Sequence, residues 1–472
     1  MILLRREEMM DIAPKLNRRT LLTATAGFAV AGLSIGRALS ASLSGIENAA
    51  LRGSISATDL GVRTGSGEDQ SRAFGKMLNK ASRENAQVFL PAGTYVVSKL
   101  SLPARVRLVG MPGASRIVYV GGGQFLVGAN AEHIELTGLV FDGANQWIAD
   151  GTQALLDLKG VRHLVIDNCL VSASSKNGVA LERAAGRIER STISGAADAG
   201  LWSVEGGGLS ITGNTVSDCG NGGILVHRWK AAEDGTIVSG NRVERIGAAS
   251  GGTGQNGNGI NAFRAGNVVI SGNIVSDCAF SAIRANSASN LQIAGNTCLR
   301  SGETALYSEF AFEGAIISSN LVDGAANGIS IVNFNEGGRM AVCSNNIVRN
   351  LSTTGPYPAE NAGFGTGISV EADTTVTGNV IENAPLWGMQ LGWGPYLRNV
   401  AVTGNVIRKA GTGIAVSVVE GVGPTIIANN IFDGTRNGAI VGHRWSDPVT
   451  ADLATLGNAG YAHLTIEGNH AS

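Results

Sequence analysis

The sequence predicts an all-β chain wound as a single-stranded parallel β-helix, a solenoid, with a helix capping its N-terminal end. Three observations carry this: 67 glycines beside only 10 prolines, one motif recurring along three hundred residues, and a single amphipathic segment ahead of it. Glycine at about twice its ordinary share without a three-residue period excludes collagen. With 44% hydrophobic and only 15% charged residues, neither a disordered linker nor a coiled coil fits. What fits is a turn-rich β chain with glycines at repeated corners.

The first segment reads as an address. Asn17-Arg18-Arg19-Thr20-Leu21-Leu22 precedes a mildly apolar stretch from Thr23 to Ile35, and Arg37-Ala38-Leu39-Ser40-Ala41 follows. Paired arginines, a weakly hydrophobic run and small residues at a cleavable position resemble a twin-arginine export signal. The run, interrupted by Thr25, Gly27 and Gly32, is too short to span a bilayer. The expectation is a signal over 1–41 cleaved near Ser40 or Ala41, and a linker over 42–57. It implies the twin-arginine machinery as a partner, a periplasmic or secreted location, and no stable membrane insertion after cleavage.

Over 58–160 the reading is a cap and the first coils. Ser71-Arg-Ala-Phe-Gly-Lys-Met-Leu-Asn-Lys-Ala81 has helical periodicity, with Phe74, Met77, Leu78 and Ala81 on one face. Val88-Phe-Leu-Pro-Ala-Gly-Thr-Tyr95, Leu100-Ser-Leu-Pro and Val106-Arg-Leu-Val-Gly110 then read as strands and corners.

From 161 to 472 the repeat dominates. Leu209-Ser-Ile211-Thr-Gly-Asn214-Thr-Val216 returns as Val268-Val-Ile270-Ser-Gly-Asn273-Ile-Val275 and as Val400-Ala-Val402-Thr-Gly-Asn405-Val-Ile407. The asparagine column is read at 168, 214, 241, 273, 296, 320, 346, 379, 405, 430 and 469, with Ser191 in the slot between the first two. A second short strand follows, opened by a small residue, as in Gly223-Ile-Leu-Val226 and Gly367-Ile-Ser-Val370. Such a unit cannot bury its own faces, but stacked on copies of itself it can, each coil adding about 4.8 Å. Inward asparagines would then bond along the stack as a ladder. The five cysteines, Cys169, Cys219, Cys278, Cys298 and Cys343, have no metal-like spacing and read as buried thiols.

The helix, the "LPAGTY" segment and the coils together resemble the pectate-lyase/polygalacturonase superfamily and phage tailspikes. In that superfamily a leading helix caps a right-handed β-helix, so the resemblance implies that handedness here. The signal joined to these coils also looks like a family of exported repeat proteins. The superfamily's catalytic motifs do not carry over: the polygalacturonase Asn-x-Asp, Asp-Asp and Gly-His-Gly and the epimerase Asp-Pro-His have no counterpart.

Function must therefore be argued from stacking. The outward positions of the second strands give Trp202, then His227, Asn261 with Arg264, Arg284 with Asn286, Tyr307 with Glu309, Asn333, Glu371, and Gln390 with Trp393. A solvated sheet face is the competing reading. Two corners are long, Asn241 to Gly259 and Asn346 to Gly367, four coils apart. They could wall a trench about 19 Å long, with Arg284, Tyr307, Glu309 and Asn333 inside it and Arg264 and Glu371 at its rims.

Two functions follow. A carbohydrate-active enzyme would, as a lyase, use Arg284 or Arg264 to neutralise a uronate and Tyr307 or an arginine to move the proton, or, as an inverting hydrolase, the pair Glu309 and Glu371, about 9.6 Å apart. His227, Asn261, Arg264, Asn286, Asn333, Gln390 and Trp393 would hold the polysaccharide. Alternatively the face displays a non-catalytic site to a cell-envelope glycan or protein. A net charge of -1 offers nothing to nucleic acid. No nucleotide fingerprint or aspartate cluster is visible, so neither cofactor nor metal is expected. His227-Arg228-Trp229 and His443-Arg444-Trp445 lie eight coils apart and read as a repeated packing device.

Overall fold

The computed structural model describes residues 54–359, 362–458 and 460–472. The expected signal over 1–41 and most of the expected linker lie outside them. From Ile55 onward the chain winds into stacked coils. A sheet of 16 strands, every neighbouring pair parallel, runs along one side from Ile55–Ser56 to Leu464–Glu467. Strand alternation explains it: the residue three before each ladder position points inward and stacks on its equivalent. Ile211, Val238, Ile270, Ile293, Ile317, Cys343, Val376 and Val402 form one such register column, all with no exposed surface.

The expected asparagine ladder is present from Asn214 to Asn469, ten asparagines joined by nine consecutive side-chain bonds. From Asn241 to Asn430 each amide oxygen accepts twice and each amide nitrogen donates at least twice. Asn320 Oδ1 accepts from the backbone N–H (2.9 Å) and Nδ2 (3.0 Å) of Asn296, while its own Nδ2 donates to Ile293 O and Asn346 Oδ1, both at 3.0 Å. Pairing of this kind offsets the cost of burying an amide.

Asn168 is a correction. Register pairs Leu170 with Thr192, so the residue beneath Ser191 is Cys169, whose backbone N–H donates to Ser191 Oγ at 3.0 Å. Asn168 is exposed and occupies the left-handed corner just before it, at φ 50°. In most coils that corner is glycine, as at Gly213 (φ 65°) and Gly240 (φ 65°), but Ser319 and Asn345 also adopt it. Asparagine suits both the corner and the rung.

The helix forms over Ser71–Glu84, burying Phe74, Met77, Leu78 and Ala81, and Tyr95 of the first coils meets Phe74 edge-on at 5.9 Å. Near the other end, residues 447–456 form both a strand and a helical turn. Asp447–Asp452 runs antiparallel to Ile440–Arg444, and Leu453–Leu456 follows as a helical turn with Leu453 buried. Asp452 ties the two together, accepting from the backbone N–H of Ala439, Ile440 and Ala454. All five cysteines are buried and free. Cys219 and Cys278 are separated in their column by Ile246.

Candidate functional site

The second-strand register sets two neighbouring outward columns. One runs Asn261, Arg284, Tyr307; the other runs His227, Phe263, Asn286, Glu309. At their junction lies an ion-pair network. Arg284 Nε and Nη2 grip Glu309 Oε1 and Oε2 at 2.7 and 3.0 Å, and Nη1 lies 3.3 Å from Glu303 Oε2. Asn286 Nδ2 donates to Glu309 Oε1 at 3.0 Å, and the Arg284 guanidinium sits 5.0 Å from the Tyr307 ring centre. Glu303 and Glu309 are only 3% and 2% exposed. Burial pushes the Glu303 carboxyl up against the pull of Arg284, and pushes the Tyr307 hydroxyl up as well.

Sequence reasoning missed Glu303. It lies within the strand Thr297–Glu309, at the bulge between Ser301 and Thr304 where the register shifts, outside the outward columns, and the available signal was an acidic residue beside an arginine one coil earlier.

The two insertions expected to wall a trench instead converge on this network. Gly254, from the first, lies so close to Arg284 that a Cβ there would fall 1.7 Å from Nη1, and its φ is 124°; only glycine fits. Tyr357, from the second, donates its hydroxyl to Glu303 Oε1 at 2.7 Å and packs between Phe280 and Phe364 at 6.2 and 5.5 Å. The second insertion thus leans back over the corner rather than standing as a far wall.

What remains open is a cavity of about 400 Å³ lined by His227, Asn261, Phe263, Arg284, Asn286, Phe310 and the Thr253–Gln255 tip of the first insertion. Four residues singled out in the sequence therefore meet there. Two of their polar atoms are buried without a protein partner: His227 Nε2 and Asn261 Oδ1. His227 Nδ1 accepts from Trp202 Nε1 at 3.2 Å, which assigns the ring proton to Nε2, and burial pushes this imidazole down to about 4. The residues lining the cavity thus carry one unpartnered neutral donor and one unpartnered neutral acceptor, beside two aromatic rings. Arg264 stays at the rim, over the Phe263 ring at 4.7 Å and bonded to the Trp229 carbonyl at 2.7 Å.

The other candidates lie elsewhere. Glu309 and Tyr307 stand behind Arg284, and neither Glu309 nor Glu371 lines the cavity. Glu371 accepts from the Phe334 backbone N–H at 2.6 Å, and burial pushes its carboxyl up to about 7. Asn333, at φ 73°, opens the turn Phe334–Glu336 and accepts from the Phe310 N–H. Gln390 accepts from Ser369 Oγ at 3.2 Å, and Trp393 packs edge-on against Trp445 at 5.5 Å. The two His-Arg-Trp segments share a geometry: His227 and His443 pack on Trp202 and Trp387, while Arg228 and Arg444 pair with Glu205 and Glu420 of the preceding coil. Among the described residues no group of three or more His, Cys, Asp or Glu could hold a metal ion.

Against known proteins, the model of the right handed beta helix region matches residues 154–337 and 230–395, together just over half of the chain. No curated protein sequence matches it. Among solved structures, the pre-mature gene product 12 of bacteriophage phi29 superposes with a TM-score of 0.58 at 15% identity, over 84% of this chain and 58% of that one. The catalytic unit of a GH87 alpha-1,3-glucanase from Streptomyces thermodiastaticus gives 0.46 at 16% identity, over 89% and 69%. The A-module of the mannuronan C-5 epimerase AlgE6 from Azotobacter vinelandii gives 0.43 at 14%, over 88% and 99%. At these identities the likeness is one of fold.

Proposed function

The chain belongs to the right-handed β-helix family, and on that scaffold we propose that it binds a polysaccharide along the outward face of its coils, with one sugar seated in the cavity of His227 and Asn261. One observation carries the reading: a preformed cavity in which a buried donor and a buried acceptor have no protein partner, beside Phe263 and Phe310. Burying polar groups unpaired costs free energy, and a ligand that pairs them recovers it. Sugars bring what such a site lacks, hydroxyls that both donate and accept and an apolar ring face that lies on aromatic rings.

Binding is the reading favoured over cleavage because both oxygens of Glu309 are taken up by Arg284, which leaves no free carboxylate at the cavity for acid–base work. Export by the twin-arginine route, resting on Arg18 and Arg19, belongs to the same proposal. Replacing both arginines with lysine should hold the protein in the cytoplasm.

The test is retention of the folded protein on a panel of immobilised polysaccharides, with unsaturated products and reducing ends followed in parallel. At least one polysaccharide should retain it, and Asn261→Leu should weaken that retention about tenfold. If no polysaccharide retains it, the proposal fails. If products form and disappear in Glu309→Gln, an enzyme replaces the binding protein.

A further inference from the structure

We infer that the sugar this cavity accepts is neutral, a hydroxyl-bearing residue without a carboxylate; the inference rests on reading the cavity as a glycan site. The charge arrangement is the first ground. Arg284 is the cation that lines the cavity, and all three of its guanidinium nitrogens are engaged, Nε and Nη2 by Glu309 and Nη1 by Glu303. Two buried carboxylates therefore surround one buried guanidinium. A uronate at Arg284 would become a third carboxylate around that single positive charge, and its loss of water would go uncompensated. Arg264, the rim cation, lies over Phe263 and bonds the Trp229 carbonyl.

The second ground is hydrogen-bond chemistry. The unpartnered atoms are a donor, His227 Nε2, and an acceptor, Asn261 Oδ1. They sit on adjacent coils, where His227 pairs in register with Phe263, two residues beyond Asn261. A hydroxyl can accept from the first and donate to the second. An ionised carboxylate only accepts. It would satisfy His227 but leave Asn261 Oδ1 facing a negative oxygen, so the acceptor would stay unpaired in the complex. The same pair of atoms that welcomes a hydroxyl therefore selects against a carboxylate placed at that point, so an acid gains there only through its own hydroxyls.

The folded protein would be titrated calorimetrically with cello-, xylo-, manno- and malto-oligosaccharides and with oligogalacturonate and oligomannuronate of equal length. At least one neutral series should bind about tenfold or more tighter than either uronate series, and its affinity should hold as salt is raised. Glu309→Gln, which leaves Arg284 with one carboxylate partner, should raise uronate affinity several-fold. The ranking on the unaltered protein decides the matter even if that variant does not fold. Uronates binding as tightly as neutral sugars, with affinity falling in salt, would overturn the inference while leaving a glycan site in place. Binding by neither kind would remove the glycan reading and this inference together.

Discussion

Tyr357 and Glu303, 54 residues apart in sequence, are joined by a 2.7 Å hydrogen bond from the phenolic hydroxyl to Oε1. That bond pins an insertion from one coil to the ion-pair network of another. Removing the hydroxyl leaves a buried carboxylate oxygen short of a donor. Tyr357→Phe should therefore destabilise the protein by about 1–2 kcal/mol, and limited proteolysis should cut first within 352–364. An unchanged cleavage pattern would mean that Phe280 and Phe364 alone hold the insertion.

The asparagine ladder should be the most mutation-sensitive feature of the coils. Asn320→Ala removes an acceptor used twice and two donors. Leaving those partners unpaired in the interior should cost about 4 kcal/mol, measured by chemical denaturation. Asn168→Ala, at the neighbouring exposed left-handed corner, should cost only about 1–2 kcal/mol.

Breaking the buried pair should be expensive from one side only. Arg284→Met alone strands Glu303 and Glu309 and should cost about 3–5 kcal/mol, whereas adding Glu309→Leu should restore part of that loss. A double-mutant cycle by thermal denaturation reads the coupling.

Glu371 should give stability a pH dependence of definite sign. Its carboxyl is raised by burial to about 7 in the folded protein from an ordinary 4.5, so folding favours the protonated form. The contribution is fully present below about pH 4.5 and is lost as pH rises through about 7. Glu371→Gln keeps an acceptor for the Phe334 N–H and carries no charge. Its melting temperature relative to wild type should rise between pH 5 and 8, by up to about 3 kcal/mol of stability. A difference that stays flat across that range would show that Glu371 titrates normally.

The thiols should be inert. Burial raises Cys169 to about 12 and Cys219 to about 11, and all five are buried and unpaired. A disulfide-exchange reagent should label none in the native protein and five after denaturation, and reductant should leave the melting temperature unchanged.

Much of the solenoid was legible because the ladder repeats one residue type at one register, and Ile211, Ile270 and Val402 keep the inward face between repeats. Asn168 was misplaced for a physical reason: asparagine tolerates the left-handed corner almost as readily as it serves in a rung, and only the Cys169–Ser191 contact separates the two. The cavity was half legible. Strand alternation put His227, Asn261, Arg284 and Asn286 outward on neighbouring coils. It could not show that Arg284 would be claimed by Glu303 from the bulge between Ser301 and Thr304, because alternation breaks at a bulge. The lean of the second insertion was hidden as well, since it depends on where Tyr357 finds a partner and not on loop length.

The uniformity of the ladder has a cost in folding. Every rung is chemically the same, so a chain that slipped by one whole coil could rebuild most of its asparagine bonds and gain no signal of the error. Besides unequal corner lengths, what distinguishes one coil from the next is the irregular pairs, Trp202 on His227, Arg284 on Glu309 and Tyr357 on Glu303. His227 and Arg284, which line the cavity, thus belong to the pairs that tell one coil from another. Replacing them with the repeat's average residues would leave a smoother solenoid that no longer knows which coil is which.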